Sequence, residues 1–260
     1  MLVQDIMDPS HPFLYAGELA TKARAVLRSR GSRILPVLDE RKRLVGIISR
    51  GDVMVITSSI SPIRVEGIMS TPRFVATLDM DAFHAVREMI RLDEWYIPVV
   101  ESSQDYTYRG VLGLENFIGT FLERGTPKLT RPLSEIMSTE VVTCSPGDEV
   151  DNIWRLMQER SLAGLPVVRR GKLIGIVTQK NLLDSGVILP AFEAKRGRFK
   201  APPKISSVMK TPVVSLRPTA ELREAAELML KKNIGRVPIV DRKGRLVGIV
   251  DREDVVRALL

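Results

Sequence analysis

The sequence predicts a mixed α/β (α+β) fold made of four β-α-β-β-α units, and three recurrences carry that expectation. Four segments open with an aliphatic-Met pair, Ile6-Met7, Ile68-Met69, Ile136-Met137 and Val208-Met209. Each later sets a proline before a β-branched residue, at Pro36-Val37, Pro98-Val99, Pro166-Val167 and Pro238-Ile239, and the Met-to-Pro distance is 29 residues every time. A glycine follows each proline (Gly46, Gly110, Gly175, Gly248), and six residues on stands Asp52, Asn116, Asn181 or Asp254. Repeats of this kind read as one supersecondary unit copied along the chain. The copies are expected at 1–58, 64–122, 132–185 and 204–260, with linkers at 123–131 and 186–203.

The elements follow from local periodicity. Each copy is expected to begin with a short β-branched strand, as in Val141-Val142-Thr143 and Val213-Val214-Ser215. Pro146-Gly147-Asp148-Glu149 and Pro218-Thr219-Ala220-Glu221 then start a helix, with a fixed proline φ and acids suited to the helix dipole. Apolar or small residues recur at spacings of 3 and 4: Ala20, Ala23, Leu27; Ala82, Ala85, Met89; Val150, Ile153, Met157; Leu222, Ala225, Met229. They form one helical face turned to a core. Two strands joined by a turn come next, best seen as Val237-Pro238-Ile239-Val240, the turn Asp241-Arg242-Lys243-Gly244, and Leu246-Val247-Gly248-Ile249-Val250. A second helix is expected after Asp52, Asn116, Asn181 and Asp254, opening at Val53, Phe117, Leu182 and Val255. A unit of this size barely supports a core alone, so neighbouring copies should pair. The repeated prolines and glycines read as architectural, and the methionines as core.

Leu35-Pro36-Val37-Leu38-Asp39 with Gly46-Ile47-Ile48-Ser49-Arg50-Gly51-Asp52 resembles the signature of the cystathionine-β-synthase (CBS) domain, as does Val237-Pro238-Ile239-Val240-Asp241 with Gly248-Ile249-Val250-Asp251-Arg252-Glu253-Asp254. The third copy matches through Gly175-Ile176-Val177-Thr178-Gln179-Lys180-Asn181; the second, Gly110-Val111-Leu112-Gly113-Leu114-Glu115-Asn116, matches least. The resemblance covers nearly the whole chain. It implies CBS repeats paired into two Bateman modules, copies 1 with 2 and 3 with 4. It also implies regulation rather than catalysis, through an adenosine-containing ligand: AMP, ADP, ATP or S-adenosylmethionine. Four-copy members look like the nucleotide-sensing gamma subunit of AMP-activated protein kinase. The residues implied are Arg33, Ser49 and Asp52 in the first copy, Thr178 and Asn181 in the third, and Arg236, Asp251 and Asp254 in the fourth. A carboxylate at a helix start can accept from both ribose hydroxyls, while hydroxyls, helix N–H groups and arginines suit phosphate. Asp251 puts an anion where a hydroxyl is usual and disfavours multiply phosphorylated ligands. The first copy is expected to bind best, and the second, with Gly113 and Asn116, has lost most of the set. Ser or Thr followed three residues later by Asp or Asn also reads as a helix cap, and both readings stand at this point.

Composition narrows the function classes. At roughly 100–200 residues per domain, 260 residues fit one large or two small domains. With 44% hydrophobic and 27% charged residues the chain is of ordinary globular make-up. One cysteine, Cys144, excludes an internal disulfide, and it reads as buried and inert. Two histidines, His11 and His84, read as surface or cap residues, so no metal is expected. No enzyme chemistry is expected either: no Cys/His pair or phosphate-cradling glycine loop is present. Met1-Leu2-Val3-Gln4-Asp5 has no basic stretch before an apolar one, and no apolar run nears bilayer length, so a cytoplasmic location without membrane contact is expected.

The net charge of +8 lies entirely in residues 131–260, with 23 basic and 15 acidic residues against 16 and 16 before them. The run Lys195-Arg196-Gly197-Arg198-Phe199-Lys200-Ala201-Pro202-Pro203-Lys204 holds five cations and no acid. Cations beside an interleaved aromatic suit RNA phosphates and base stacking, while a solvated linker is the plainer account. Strand turns add Arg41-Lys42-Arg43, Arg169-Arg170 with Lys172, and Arg242-Lys243 with Arg245, which would form a basic face if they point the same way. A second reading is therefore an RNA- or ribosome-binding factor docking through the basic second half. A homodimer through module faces is compatible with either reading.

Overall fold

The computed structural model describes residues 1–30, 32–53, 56, 61–185 and 202–260. The chain divides into two compact units: Met1–Leu129 with Arg252–Leu260, and Thr130–Asp251. By chain order the last helix belongs to the fourth copy; in space it is part of the first unit.

In the first unit two copies repeat one element order. The first copy comprises β1 (Leu14–Tyr15), α1 (Ala20–Arg30), β2 (Ile34–Leu38), β3 (Leu44–Ser49) and α2 (Arg50–Val53). The second comprises β4 (Ala76–Thr77), α3 (Ala82–Arg91), β5 (Tyr96–Val100), β6 (Tyr108–Gly113) and α4 (Leu114–Arg124). Each forms a three-stranded sheet with the proline strand in the middle, parallel to its short first strand and antiparallel to the third. The second unit repeats the pattern as α5 (Val150–Glu159), β7 (Gly164–Arg169), β8 (Lys172–Thr178) and α6 (Gln179–Ser185), then α7 (Leu222–Lys232), β9 (Arg236–Val240) and β10 (Leu246–Asp251). The helix after β10 is α8 (Arg252–Leu259), in the first unit.

All the residues expected on the helical faces are buried, from Ala20, Ala23 and Leu27 in α1 to Leu222, Ala225 and Met229 in α7. Small residues on these faces let each helix lie close to its strands, and the aliphatic ones remove apolar surface from water. The expected turn forms at Asp241: its carboxylate accepts the backbone N–H of Lys243 and Arg245, both at 2.8 Å. Gly244 closes that turn at φ +74°, a conformation that favours glycine.

Two expectations are corrected. The runs Val141-Val142-Thr143 and Val213-Val214-Ser215 do not form strands. Pairing is confined to one residue further on, Cys144 beside Val167 and Leu216 beside Ile239. Val142 and Val214 are 36% and 42% exposed, so β-branching there is not matched by burial. The second helices also start three residues earlier than the sequence suggested, at Arg50, Leu114, Gln179 and Arg252. Asp52, Asn116, Asn181 and Asp254 therefore sit within the first helical turn rather than before it.

Within each unit the two copies embrace reciprocally. In the first, Ile47 bridges Ser70 and Asp8 bridges Val111; in the second, Ile176 bridges Lys210 and Ser138 bridges Ile249. The repeated glycines explain why the approach is so close. A Cβ at Gly46 would lie 2.8 Å from Met69 Sδ, at Gly175 2.9 Å from Met209 Sδ, and at Gly248 2.6 Å from Met137 Sδ. At these three positions the repeated methionine of one copy fills the space left by the repeated glycine of its neighbour; at Gly110 the backbone of Asp8 and Pro9 takes that place.

Candidate ligand-binding site

The expected cap residues do meet. Ser49 donates both its N–H (2.6 Å) and its hydroxyl (2.7 Å) to Asp52 Oδ2, and Thr178 does the same to Asn181 Oδ1 at 3.1 and 2.9 Å. Gly113 N–H donates to Asn116 Oδ1 at 2.7 Å. These are N-terminal helix caps with Asp or Asn in the third helical position, where the shorter side chain still reaches the cap N–H. Among the described residues Asp52 Oδ1 is unengaged.

The two arginines make contacts within the protein. The Arg33 guanidinium lies 4.5 Å from the centre of the Trp95 ring, and Arg236 donates to the Gly164 carbonyl at 2.6 Å. Asp251 ends β10, Asp254 lies in the first turn of α8, and both are half-buried. Lys204 pairs with Glu149 at 3.2 Å. Lys195, Arg196, Arg198, Phe199 and Lys200 lie outside the described residues.

A cavity of about 320 Å³ opens in the first unit, where the second copy has the fewest of the expected groups. The first copy contributes Met7, Asp8, Pro9 and His11; the second contributes Tyr96, Val111, Gly113, Glu115 and Asn116. The cap at Gly113 positions Asn116 at the helix start, and the strand register sets Tyr96 opposite Gly113. Gly113 is required there, because a Cβ would lie 2.7 Å from Glu115 Oε2 and 2.9 Å from the Tyr96 ring.

Beneath the cavity, Arg252 of α8 is 1% exposed and donates to Tyr96 Oη at 2.7 Å and to Glu115 Oε2 at 2.9 Å. Burial, reinforced by the Glu115 charge, pushes the Tyr96 phenol up to about 12, so it is a neutral donor and acceptor at pH 7. His11 Nε2 faces the Ile34 carbonyl at 3.1 Å and must therefore carry a proton; its Nδ1 lies 3.5 Å from Asp8 Oδ2. His11 is thus a half-buried cavity residue rather than a surface one.

The lining offers acceptors (Asp8, Glu115), a phenol, an amide and an imidazole around an apolar floor. Of the cations beside Tyr96 among the described residues, Arg252 is engaged by Glu115 and Tyr96, and the Arg33 guanidinium lies 5.9 Å from the Tyr96 ring centre. Such a cleft suits a heterocycle bearing hydroxyl groups and little negative charge. The sequence signal for these residues lay in the second copy's departures: Tyr96 stands two before its proline, where the others have Ile34, Gly164 and Arg236. Cys144 is buried, and burial pushes its thiol up to about 12, which leaves it unreactive. Among the described residues no group of three His, Cys, Asp or Glu could hold a metal, and no helix is long and apolar enough to cross a membrane.

Comparison with known proteins places these features. A family model for the CBS domain matches residues 3–57, 133–187 and 205–260. The chain is 30% identical over 155 residues to protein MJ1426 of Methanocaldococcus jannaschii, covering 49% of this chain and 90% of that one. It is 35% identical over 124 residues to the inosine-5'-monophosphate dehydrogenase of the same organism, covering 47% of this chain but only 22% of the dehydrogenase. The crystal structure of protein MJ1225, also from M. jannaschii, matches all of both chains with a TM-score of 0.86 at 20% identity, a likeness of fold.

Proposed function

The chain belongs to the CBS-domain family, and from that premise we propose that it is a non-catalytic regulatory protein that binds an adenosine-containing ligand and passes that state to a partner. Its copies act in pairs as Bateman modules, 1 with 2 and 3 with 4, a scheme supported by the methionine–glycine contacts between copies, reciprocal in the second unit and one-way in the first. The observation that carries the ligand reading is the cavity between copies 1 and 2. Its volume of about 320 Å³ is of the size of small-ligand sites. Asn116 supplies an amide for the ribose or base edge, Tyr96 a neutral hydroxyl, and His11 a ring for stacking.

The charge of the lining refines the ligand class. With Asp8 and Glu115 in the lining and Arg252 held by Glu115 and Tyr96, a triphosphate would meet repulsion there. Adenosine, or the sulfonium of S-adenosylmethionine, fits better than ATP. The Ser49–Asp52 and Thr178–Asn181 pairs are further ribose contacts in this reading, through acceptor capacity that the caps leave over.

Mass spectrometry of small molecules released from denatured protein, followed by calorimetric titration with adenosine, S-adenosylmethionine, AMP and ATP, tests the proposal. Binding of an adenosine compound that Asn116→Ala weakens by about 1 kcal/mol supports it. Absence of any adenosine ligand in both measurements overturns it. Tightest binding of ATP would overturn the charge argument alone.

A further inference from the structure

We infer that the two strand turns of the second unit form a docking surface for the phosphate backbone of a nucleic-acid duplex. The turn joining β7 to β8 and the turn joining β9 to β10 lie side by side. Lys172 bridges Arg245, Leu173 N–H donates to the Gly244 carbonyl at 3.1 Å, and Leu246 N–H donates to the Gly171 carbonyl at 3.2 Å. This edge-to-edge junction gathers Arg169, Arg170, Lys172, Arg242, Lys243 and Arg245 onto one exposed patch. Among the described residues none of the six forms an ion pair. The one acid in either turn, Asp241, is occupied by the backbone N–H groups of Lys243 and Arg245, which hold its carboxyl below the usual range.

The first unit shows that the fold does not need this charge. Its equivalent turns also meet edge to edge, with Arg43 bridging Thr107. There the cations Arg41, Lys42, Arg43 and Arg109 are interleaved with Asp39, Glu40, Glu101 and Asp105, and Arg109 pairs with Glu101. The same architecture therefore stands with balanced charge in one unit and with six cations against one acid in the other. Concentrating like charges on a surface is unfavourable to folding, so its use lies in what it attracts.

The chemistry of the patch selects among polyanions. Four of the six cations are arginines, whose planar forks pair two-pronged with phosphate oxygens. The remaining turn residues are Gly171, Gly244 and Asp241, so there is no aromatic on which an unpaired base could stack and no apolar rim to seat a peptide or enter a lipid layer. What remains is non-sequence-specific contact with a continuous, closely spaced phosphate array, as a duplex presents. The surface is separate from the cavity of the first unit and does not depend on the ligand proposed for it.

The test uses the full chain and fluorescently labelled 24-base-pair RNA and DNA duplexes, a single-stranded RNA of the same length, and poly-glutamate, across a salt series. Duplex binding is expected, with log K falling against log salt at a slope that approaches about −5 if all six cations meet phosphates. The variant Arg169→Gln/Lys172→Gln/Arg242→Gln/Arg245→Gln should weaken binding more than tenfold at 100 mM salt and flatten the slope by about 3 to 4. Its melting temperature should match that of the parent chain. The variant Arg41→Gln/Lys42→Gln/Arg43→Gln, in the balanced turn of the first unit, should bind as the parent does. Should the quadruple variant prove unstable, Lys243→Glu alone must weaken binding. A preference for the RNA or the DNA duplex names the source of the backbone. No duplex binding at 50 mM salt, tighter binding to single-stranded RNA or poly-glutamate, or unchanged binding by a folded quadruple variant overturns the inference.

Discussion

Tyr96 shows how one side chain can serve fold and site together. It sits two residues before its proline, receives a hydrogen bond from buried Arg252, and lines the cavity. Its phenol is raised to about 12, first by burial and then by Glu115. The unfolded chain would ionise it near pH 10, so between about 10 and 12 the folded state holds a proton that the unfolded state has released. Stability supplied by the neutral phenol is therefore complete below pH 10 and is lost as pH rises toward 12. At 1.36 kcal/mol per unit it amounts to roughly 2–3 kcal/mol. Tyr96→Phe should lower stability by about 1–2 kcal/mol at pH 8, from the lost Arg252 bond, and flatten the alkaline limb. Urea midpoints measured from pH 8 to 11.5 check this; an alkaline limb as steep in the variant as in the parent would rule the buried phenol out as its cause.

At the scale of elements, the pairing of copies depends on a glycine in a strand meeting a methionine from the neighbouring copy. Gly248 lies in β10, and a Cβ there would meet Met137 Sδ at 2.6 Å and the Ser138 carbonyl oxygen at 3.1 Å. The thioether could move, but the backbone oxygen belongs to the bridge between Ser138 and Ile249. Gly248→Ala should destabilise by about 1–3 kcal/mol through overpacking. Combining it with Met137→Ala should recover part of the loss if the clash is with the thioether. Denaturant titration of the two single variants and the double variant decides it, and strictly additive losses would mean that the two residues do not share the contact. The glycine was legible in the sequence as a recurrence. Its partner was not, because the repeat shows that a glycine is required and not what approaches it.

For the whole molecule the position of α8 matters most. By sequence it closes the fourth copy, yet it packs against α4 within the first unit, with Val255, Val256 and Leu259 buried. Lys128 Nζ also donates to the Leu259 carbonyl at 2.9 Å. At about 1.5–3 kcal/mol per buried aliphatic side chain, loss of α8 would remove several kcal/mol from the first unit. It would also leave Glu115 without Arg252. A chain ending at Asp251 should therefore show faster amide exchange in α4 and a weakened cavity, read by hydrogen-exchange mass spectrometry. Protection of α4 equal to that in the full chain would show that α8 contributes little there.

The sequence by itself determined the repeat, the order of the helices and of the paired proline and glycine strands, and the buried face of each first helix. These are local matters: a period of 3.6, a proline, a turn aspartate and a glycine act within a few residues of themselves. It also marked the pairs Ser49–Asp52 and Thr178–Asn181, because a helix cap is a contact three residues long. Tertiary structure alone decided where the cavity lies, since Asp8 and His11 are far in the chain from Tyr96 and Glu115, and all four are far from Arg252. It alone decided that two basic turns of the second unit meet edge to edge, and that α8 joins the unit its own copy does not begin. An amphipathic helix records that one face must be buried, but the partner that buries it is fixed only when every other apolar face has been placed.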